Sequence, residues 1–319
     1  MPCPFTLITV EEKEDLEARY VDAVAYEVKS EIFGCCIKLL TDEKETKERW
    51  EENFYFISQN IRSHGRLYHL RDPAVPAETV RYDPQSRTVF LLNVTYYGLV
   101  KSLALSVAGD VLEEEHGTHS VHGACVDADG RGVALLGESG AGKTTQTYGL
   151  LLDPRVRVVS DDWFFARVYG DEVFAYGSEK NFYIRADLAG AWPAFEDLVG
   201  KADLDAEGRA VVDLRSVVGK GRVLPMTTLR TIVFLRRHEG GAAAWCRLLD
   251  PEEALEIASA AGYFNPHLLV RTAFREGIRR RFFASLLGAA RVFEVTAGPT
   301  PAGTQAVLRE IVLGKEEVG

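Results

Sequence analysis

Long apolar runs are missing from this sequence. None reaches the roughly 18 residues that mark a membrane-spanning helix, so no membrane partner is expected. Cysteines are few and poorly spaced for structural chemistry. Cys3, Cys35, Cys36, Cys125 and Cys246 make an odd set with no C-x-x-C pair, which argues against a disulfide framework or zinc site and for a reducing cytoplasm. Positive charge is also in deficit. Against 47 acidic residues stand 37 Lys and Arg, a formal net charge of −10, with a pI near 5.3. A nucleic-acid surface needs a basic footprint, so no nucleic-acid partner is expected. The opening Met1-Pro2-Cys3-Pro4 lacks a basic region followed by an apolar core, so no signal peptide is expected. Repeats and low-complexity segments are missing too.

What is present is an ordinary soluble composition, 46% hydrophobic and 26% charged over 319 residues. That length suits one large or two ordinary domains and a core that needs no staples. The most informative stretch is Gly137-Glu138-Ser139-Gly140-Ala141-Gly142-Lys143-Thr144, which fills every fixed position of G-x-x-x-x-G-K-[ST]. Glycines let a tight turn aim backbone N–H groups at a phosphate. Lys143 sets a point charge on the outer phosphates, and the Thr144 hydroxyl ligates magnesium. A helix starting there adds its positive dipole end. The flanks agree: Gly132-Val133-Ala134-Leu135-Leu136 suits a buried strand, and residues 144–152 read as a helix. These eight residues and the following Thr145 are the expected nucleotide-binding set.

Residues 1–94 read as a small α+β module without a catalytic constellation. Strands are expected over 24–28, 32–40, 66–70 and 79–82, the last joined through Asp83-Pro84-Gln85-Ser86 to a strand over 88–94. A charged surface helix is expected over 41–54, capped by Thr41 or Asp42. Residues 96–115 read as a helix, with Lys101 on its solvent face by periodicity.

Downstream, the chain offers single residues with two readings each. His122 lies in an apolar strand over 120–127, where a histidine is either packed structure or a ligand or catalytic group. Asp127-Ala128-Asp129-Gly130 turns that strand into the one feeding the loop. Asp161 and Asp162 end the strand over 155–160. Carboxylates there either cap a turn or hold a phosphate-bridging metal and accept a proton from an attacking hydroxyl. Arg185, at the end of a strand over 181–185, either neutralises phosphate charge or faces solvent. Further on, Leu229 to Leu235 reads as a strongly buried strand, Asp250 and Pro251 open a helix, and Tyr263-Phe264-Asn265-Pro266-His267 breaks the pattern. Arg271, Arg275 and Arg279-Arg280-Arg281 read mainly as a solvated helix face, with Arg271 a minor candidate for phosphate binding. Residues 291–295 read as a last strand and 304–313 as a closing helix.

The ordered set His122-Gly123, the glycine-rich loop and Val159-Ser160-Asp161-Asp162 resembles the catalytic domain of HPr kinase/phosphorylase. It is also similar to phosphoenolpyruvate carboxykinase, a likeness extended by Tyr96-x-Gly98-x-x-Lys101, although Ser102 stands where that family has a second lysine. The resemblance spans about residues 96–190. It implies an α/β fold: a P-loop core with a mixed β-sheet over 95–319, ending in a C-terminal helical extension, beside the N-terminal domain 1–94. It implies ATP held by the loop and Lys143, and Mg²⁺ held by Thr144, Asp161 and Asp162. Asp162 would be the catalytic proton acceptor, with His122 beside it and Arg185 on the phosphates. Tyr183 stands where the HPr kinase segment has a magnesium-binding Glu, so coordination differs or Glu138 or Asp161 fills in.

The resulting expectation is a cytoplasmic, ATP-dependent kinase acting on a hydroxyl of a protein serine or small metabolite. Homo-oligomerisation is left open. A carboxykinase-like lyase and a non-catalytic nucleotide-binding regulator are the alternatives.

Overall fold

The structure is a computed structural model that describes residues 5–205, 208–237, 242–264 and 269–314. Two units are distinguished by their internal contacts, Met1–Gly117 with His267–Arg275, and Thr118–Pro266 with Glu276–Gly319.

The first unit runs β1 (Phe5–Leu7), α1 (Val10–Tyr20), β2 (Tyr26–Ile32), β3 (Cys35–Thr41), α2 (Lys44–Asn53), β4 (Tyr55–Phe56), β5 (Gly65–Leu70), β6 (Thr79–Asp83), β7 (Thr88–Leu92) and α3 (Tyr97–His116). Its mixed sheet has the order β1-β6-β7-β5-β3-β2-β4. Strand β7, Thr-Val-Phe-Leu-Leu, is buried on both faces and lies inside the sheet, as a continuous apolar run should. Leu16 and Tyr20 of α1 pack with Leu40, Tyr68, Leu70, Phe90 and Leu92. Helix α1 was hidden by its charges; Thr9 and Glu12 close a capping box at its start.

Several expectations change here. The turn between β2 and β3 is Phe33-Gly34, both at positive φ, so Ile32 ends the first strand instead of opening the second. Helix α2 starts later than expected, with no side-chain cap. The Thr41 hydroxyl accepts from the Glu43 N–H and Asp42 from the Arg71 N–H, so both expected caps are engaged elsewhere. Lys101 is only 3% exposed, against the solvent-facing reading, because α3 is buried round most of its circumference. That helix belongs to the first unit, whose first segment runs to Gly117.

The second unit begins with β8 (His119–His122), β9 (Ala124–Ala128), β10 (Arg131–Leu136), α4 (Lys143–Leu150), β11 (Val156–Ser160), β12 (Trp163–Tyr169), β13 (Glu172–Gly177) and β14 (Phe182–Arg185). It continues through α5 (Leu188–Ala191), α6 (Glu196–Gly200), β15 (Arg209–Val212), α7 (Arg215–Val218), β16 (Met226–Arg236), β17 (Trp245–Leu249), α8 (Pro251–Ala260), α9 (Ala273–Gly288, its first turn in the first unit), β18 (Arg291–Thr296) and α10 (Pro301–Leu313). Asp250 caps α8 by accepting from the Glu252 and Glu253 N–H groups.

The main sheet runs β11-β9-β10-β16-β13-β12-β8, with β18 beside β16 and β17 beside β18. It branches at β16, whose Met226–Leu229 end pairs with β13 and whose Thr231–Arg236 end pairs with β18. Strands β10, β16 and β18 are parallel. Alternation along β10 sends Val133 and Leu135 to one face, with Tyr148, Leu150 and Leu308 of α4 and α10. Ala134 and Leu136 go to the other, with Ala254, Phe283 and Leu286 of α8 and α9. Helices on both faces of a mixed sheet make this unit α/β.

The single strand expected over 120–127 is two, broken at Gly123. Arg279 is 1% exposed and bonds to the Ser120 and Phe264 carbonyls, so it does not lie on a solvated helix face. Asn265, Pro266 and His267 lie outside the described residues. No helix among the described residues is long and apolar enough to cross a membrane.

Candidate active site

Gly123 organises the site. The backbone there passes from β8, which pairs with β12, to β9, which pairs with β10 and β11. A Cβ at this position would lie 2.8 Å from the Leu135 carbonyl oxygen, so only glycine lets the backbone at this break lie against β10. The second crossing between the same segments is Asp161-Asp162, between β11 and β12. The two crossings are tied together: the Gly123 N–H donates to the Asp162 carbonyl at 2.9 Å, and His122 pairs with Trp163 across the strands. The Ser160 and Ser178 hydroxyls both donate to the Trp163 carbonyl, fixing the turn from a third side.

This arrangement brings the His122 Nε2 to 3.4 Å from the Asp162 Oδ1. Both side chains remain partly open, 25% and 40% exposed respectively, so a reactant can reach them. Asp161 turns the other way. It is 3% exposed, and its Oδ2 accepts the Tyr183 N–H at 2.8 Å, linking the acidic pair to β14. Its negative charge, after burial, also helps push the Tyr148 hydroxyl pKa well up.

The loop follows β10. Gly137 is required by packing, since a Cβ there would meet the Leu235 carbonyl oxygen at 2.5 Å. Gly140 and Gly142 are required by conformation, with φ of +81° and +97° and open space where a side chain would project. Glu138 and Ser139 are exposed, Ala141 is buried, and Thr144 and Thr145 are half-buried. Lys143 folds back over the loop, its Nζ donating to the Gly137 carbonyl at 2.8 Å and to the Glu138 carbonyl at 3.3 Å. Burial pushes the Lys143 ammonium below its ordinary pKa, and the Asp162 carboxylate draws it part of the way back. The Trp192 Nε1–H donates to the Thr145 carbonyl at 2.7 Å and anchors the first turn of α4.

His122 and Asp162 are therefore gathered, and the Asp162 charge acts on Lys143 of the loop; Arg185 ends β14. It is exposed and pairs with Asp187 at 3.3 Å. Arg271 is exposed and precedes α9. The sequence motif includes Gly123 and Ser160 but assigns neither a role; a glycine inside a strand pattern is the signal that marks the first.

The donor set fits a nucleotide carrying magnesium. Among the described residues no three His, Cys, Asp or Glu side chains gather as a metal cage. Magnesium on phosphates needs only one or two protein oxygens beside water and phosphate oxygens, which Thr144 and Asp162 can offer, whereas Asp161 is buried and held by Tyr183.

No protein-family model matches the chain. Among curated proteins it is similar to the HPr kinase/phosphorylase of Mycoplasmopsis pulmonis (strain UAB CTIP), 28% identical over 128 residues. Those residues are 40% of this chain and 35% of that protein, so the chain spans about a third of its relative's length. The relationship is distant. It supports a related family at most.

Proposed function

We propose that this chain is an ATP-dependent phosphotransferase that moves a phosphoryl group to a hydroxyl of a protein serine or a small metabolite. The observation that carries the reading is the 3.4 Å contact of His122 and Asp162 beside a loop whose Lys143 senses the Asp162 charge. A phosphate-binding loop alone suits many nucleotide proteins. A partly exposed carboxylate next to it supplies what transfer to a hydroxyl needs.

In this reading the loop amides and Lys143 hold the phosphates, and Lys143 exchanges its loop carbonyls for phosphate oxygens. Asp162 accepts the proton of the acceptor hydroxyl as the new O–P bond forms and the bond to the departing diphosphate breaks. His122 orients Asp162 and, when protonated, stabilises its charge. Asp161 holds the turn through Tyr183 and leaves Asp162 as the carboxylate that faces solvent. Magnesium, on Thr144 and Asp162, would neutralise phosphate charge. Most of the catalysis is then positioning and charge neutralisation.

The test is transfer of radiolabelled γ-phosphate from ATP in an acceptor screen of metabolites and cell extract. Asp162→Asn is expected to abolish transfer while nucleotide binding survives. Full transfer by that variant sinks the role given to Asp162, and absence of ATP binding by the unaltered protein sinks the whole reading.

A further inference from the structure

The parallel pairing of β10 and β16 sets Leu136 opposite Phe234. Beyond that pair the backbones stay close, since Gly137 has no room for a Cβ against the Leu235 carbonyl. Glu138 of the loop follows Gly137, and Arg236, the last residue of β16, follows Leu235. Lys143 bonds to the Gly137 and Glu138 carbonyls, and the end of β16 comes against the same stretch of loop at Gly137. In a loop of this pattern the lysine serves the outer phosphates. Arg236 ends β16 at the C-terminal edge of the parallel strands, where ligands commonly bind.

Its present partner can release it. The Arg236 Nη1 donates to the Glu294 Oε1 at 2.7 Å, with the arginine side chain 58% exposed and the glutamate 5%. The other carboxylate oxygen of Glu294 is held by the Arg247 Nε and Nη2, both at 2.7 Å. When Arg236 leaves, Glu294 is therefore not an orphaned buried charge. An ion pair with one partner more than half exposed is weak. A doubly charged terminal phosphate, which accepts the planar guanidinium through two bonds, is the stronger attractor.

We propose that Arg236 is a second phosphate-binding cation, shared between Glu294 and the terminal phosphate, and that it makes the site prefer a nucleoside triphosphate over a diphosphate. The proposal rests on the phosphotransferase reading and deepens it.

Calorimetric binding of MgATP and MgADP to the unaltered chain, Arg236→Gln, Arg236→Lys and Glu294→Gln tests it. Loss of one or two charge-assisted hydrogen bonds predicts MgATP binding about 10- to 100-fold weaker in Arg236→Gln. MgADP binding should stay within about twofold, because a diphosphate lacks the group that Arg236 meets. Arg236→Lys should be intermediate, and Glu294→Gln should tighten MgATP relative to MgADP by freeing Arg236. Thermal unfolding of Arg236→Gln near that of the unaltered chain verifies that Arg247 still holds Glu294. Equal effects of Arg236→Gln on both nucleotides, or none on either, overturn the proposal while leaving the phosphotransferase reading intact. Failure of the unaltered chain to bind MgATP overturns both.

Discussion

The Gly123 N–H donates to the Asp162 carbonyl, joining the two points where the chain crosses between segments of the main sheet. The candidate catalytic pair, His122 and Asp162, consists of one residue from each crossing. A perturbation of either backbone therefore reaches the chemistry.

Gly123→Ala is the direct check. The added methyl would meet the Leu135 carbonyl at 2.8 Å, a backbone atom inside a paired strand. A cost of about 1–3 kcal/mol is expected, typical of overpacking, together with loss of transfer activity. Thermal unfolding and the γ-phosphate assay measure the two effects, and an unchanged melting temperature contradicts the packing argument.

Lys143 and Asp162 should separate binding from chemistry. Lys143→Ala is expected to weaken ATP binding about tenfold or more, having removed a charge-assisted donor. Asp162→Asn should bind ATP nearly as well and transfer about 10²- to 10⁴-fold more slowly, the range for a lost general base. Calorimetry and single-turnover transfer distinguish these outcomes. Identical defects in the two variants would argue against distinct roles.

Glu294 should give the second unit an acid-sensitive contribution. Burial alone would raise its pKa, but hydrogen bonds from Arg236 and Arg247 outweigh that and hold it below the ordinary value. A carboxylate lowered in the folded state adds stability that is fully present above its unfolded pKa, about 4.3. That stability is lost as pH falls through the lower folded value. Urea unfolding as a function of pH should therefore show a steeper loss below about pH 4.3 in the unaltered chain than in Glu294→Gln. Parallel profiles would remove the assignment.

In the first unit, Asp110 accepts from the Tyr82 hydroxyl at 2.8 Å and from Arg275 at 3.0 Å. Burial raises the Asp110 pKa, and Tyr82 and Arg275 pull it back down. Arg275→Ala leaves a buried carboxylate without its cation and is expected to cost about 3–5 kcal/mol. The Asp110 pKa then rises further, so the folded state takes up a proton that the unfolded chain does not, and the cost is greatest above that pKa. Asp110→Asn with Arg275→Ala should recover part of the loss. Denaturant unfolding of the two single variants and the double variant closes the cycle, and additivity would mean the residues are not coupled.

Much of the local architecture was legible because it depends on short-range chemistry. The apolar runs of β7, β10 and β16, the Asp250-Pro251 start of α8 and the Asp129-Gly130 turn all announce themselves within a few residues. What failed were readings that treated charge as a mark of the surface. Lys101 and Arg279 are buried. Long side chains of this kind place their charge according to tertiary partners that no local window contains.

By itself the sequence determined the shape of the loop over 137–144, because glycine at 140 and 142 meets conformational requirements within one turn. It also determined that His122 and Asp162 were candidates. Only the tertiary structure decided that they meet, that Asp161 turns to Tyr183 instead, and that the loop at Gly137 lies against the end of β16. Those relationships come from strand register and from the sheet's branching at β16. Both are set by packing between residues far apart in the chain, not by the residues that carry the chemistry.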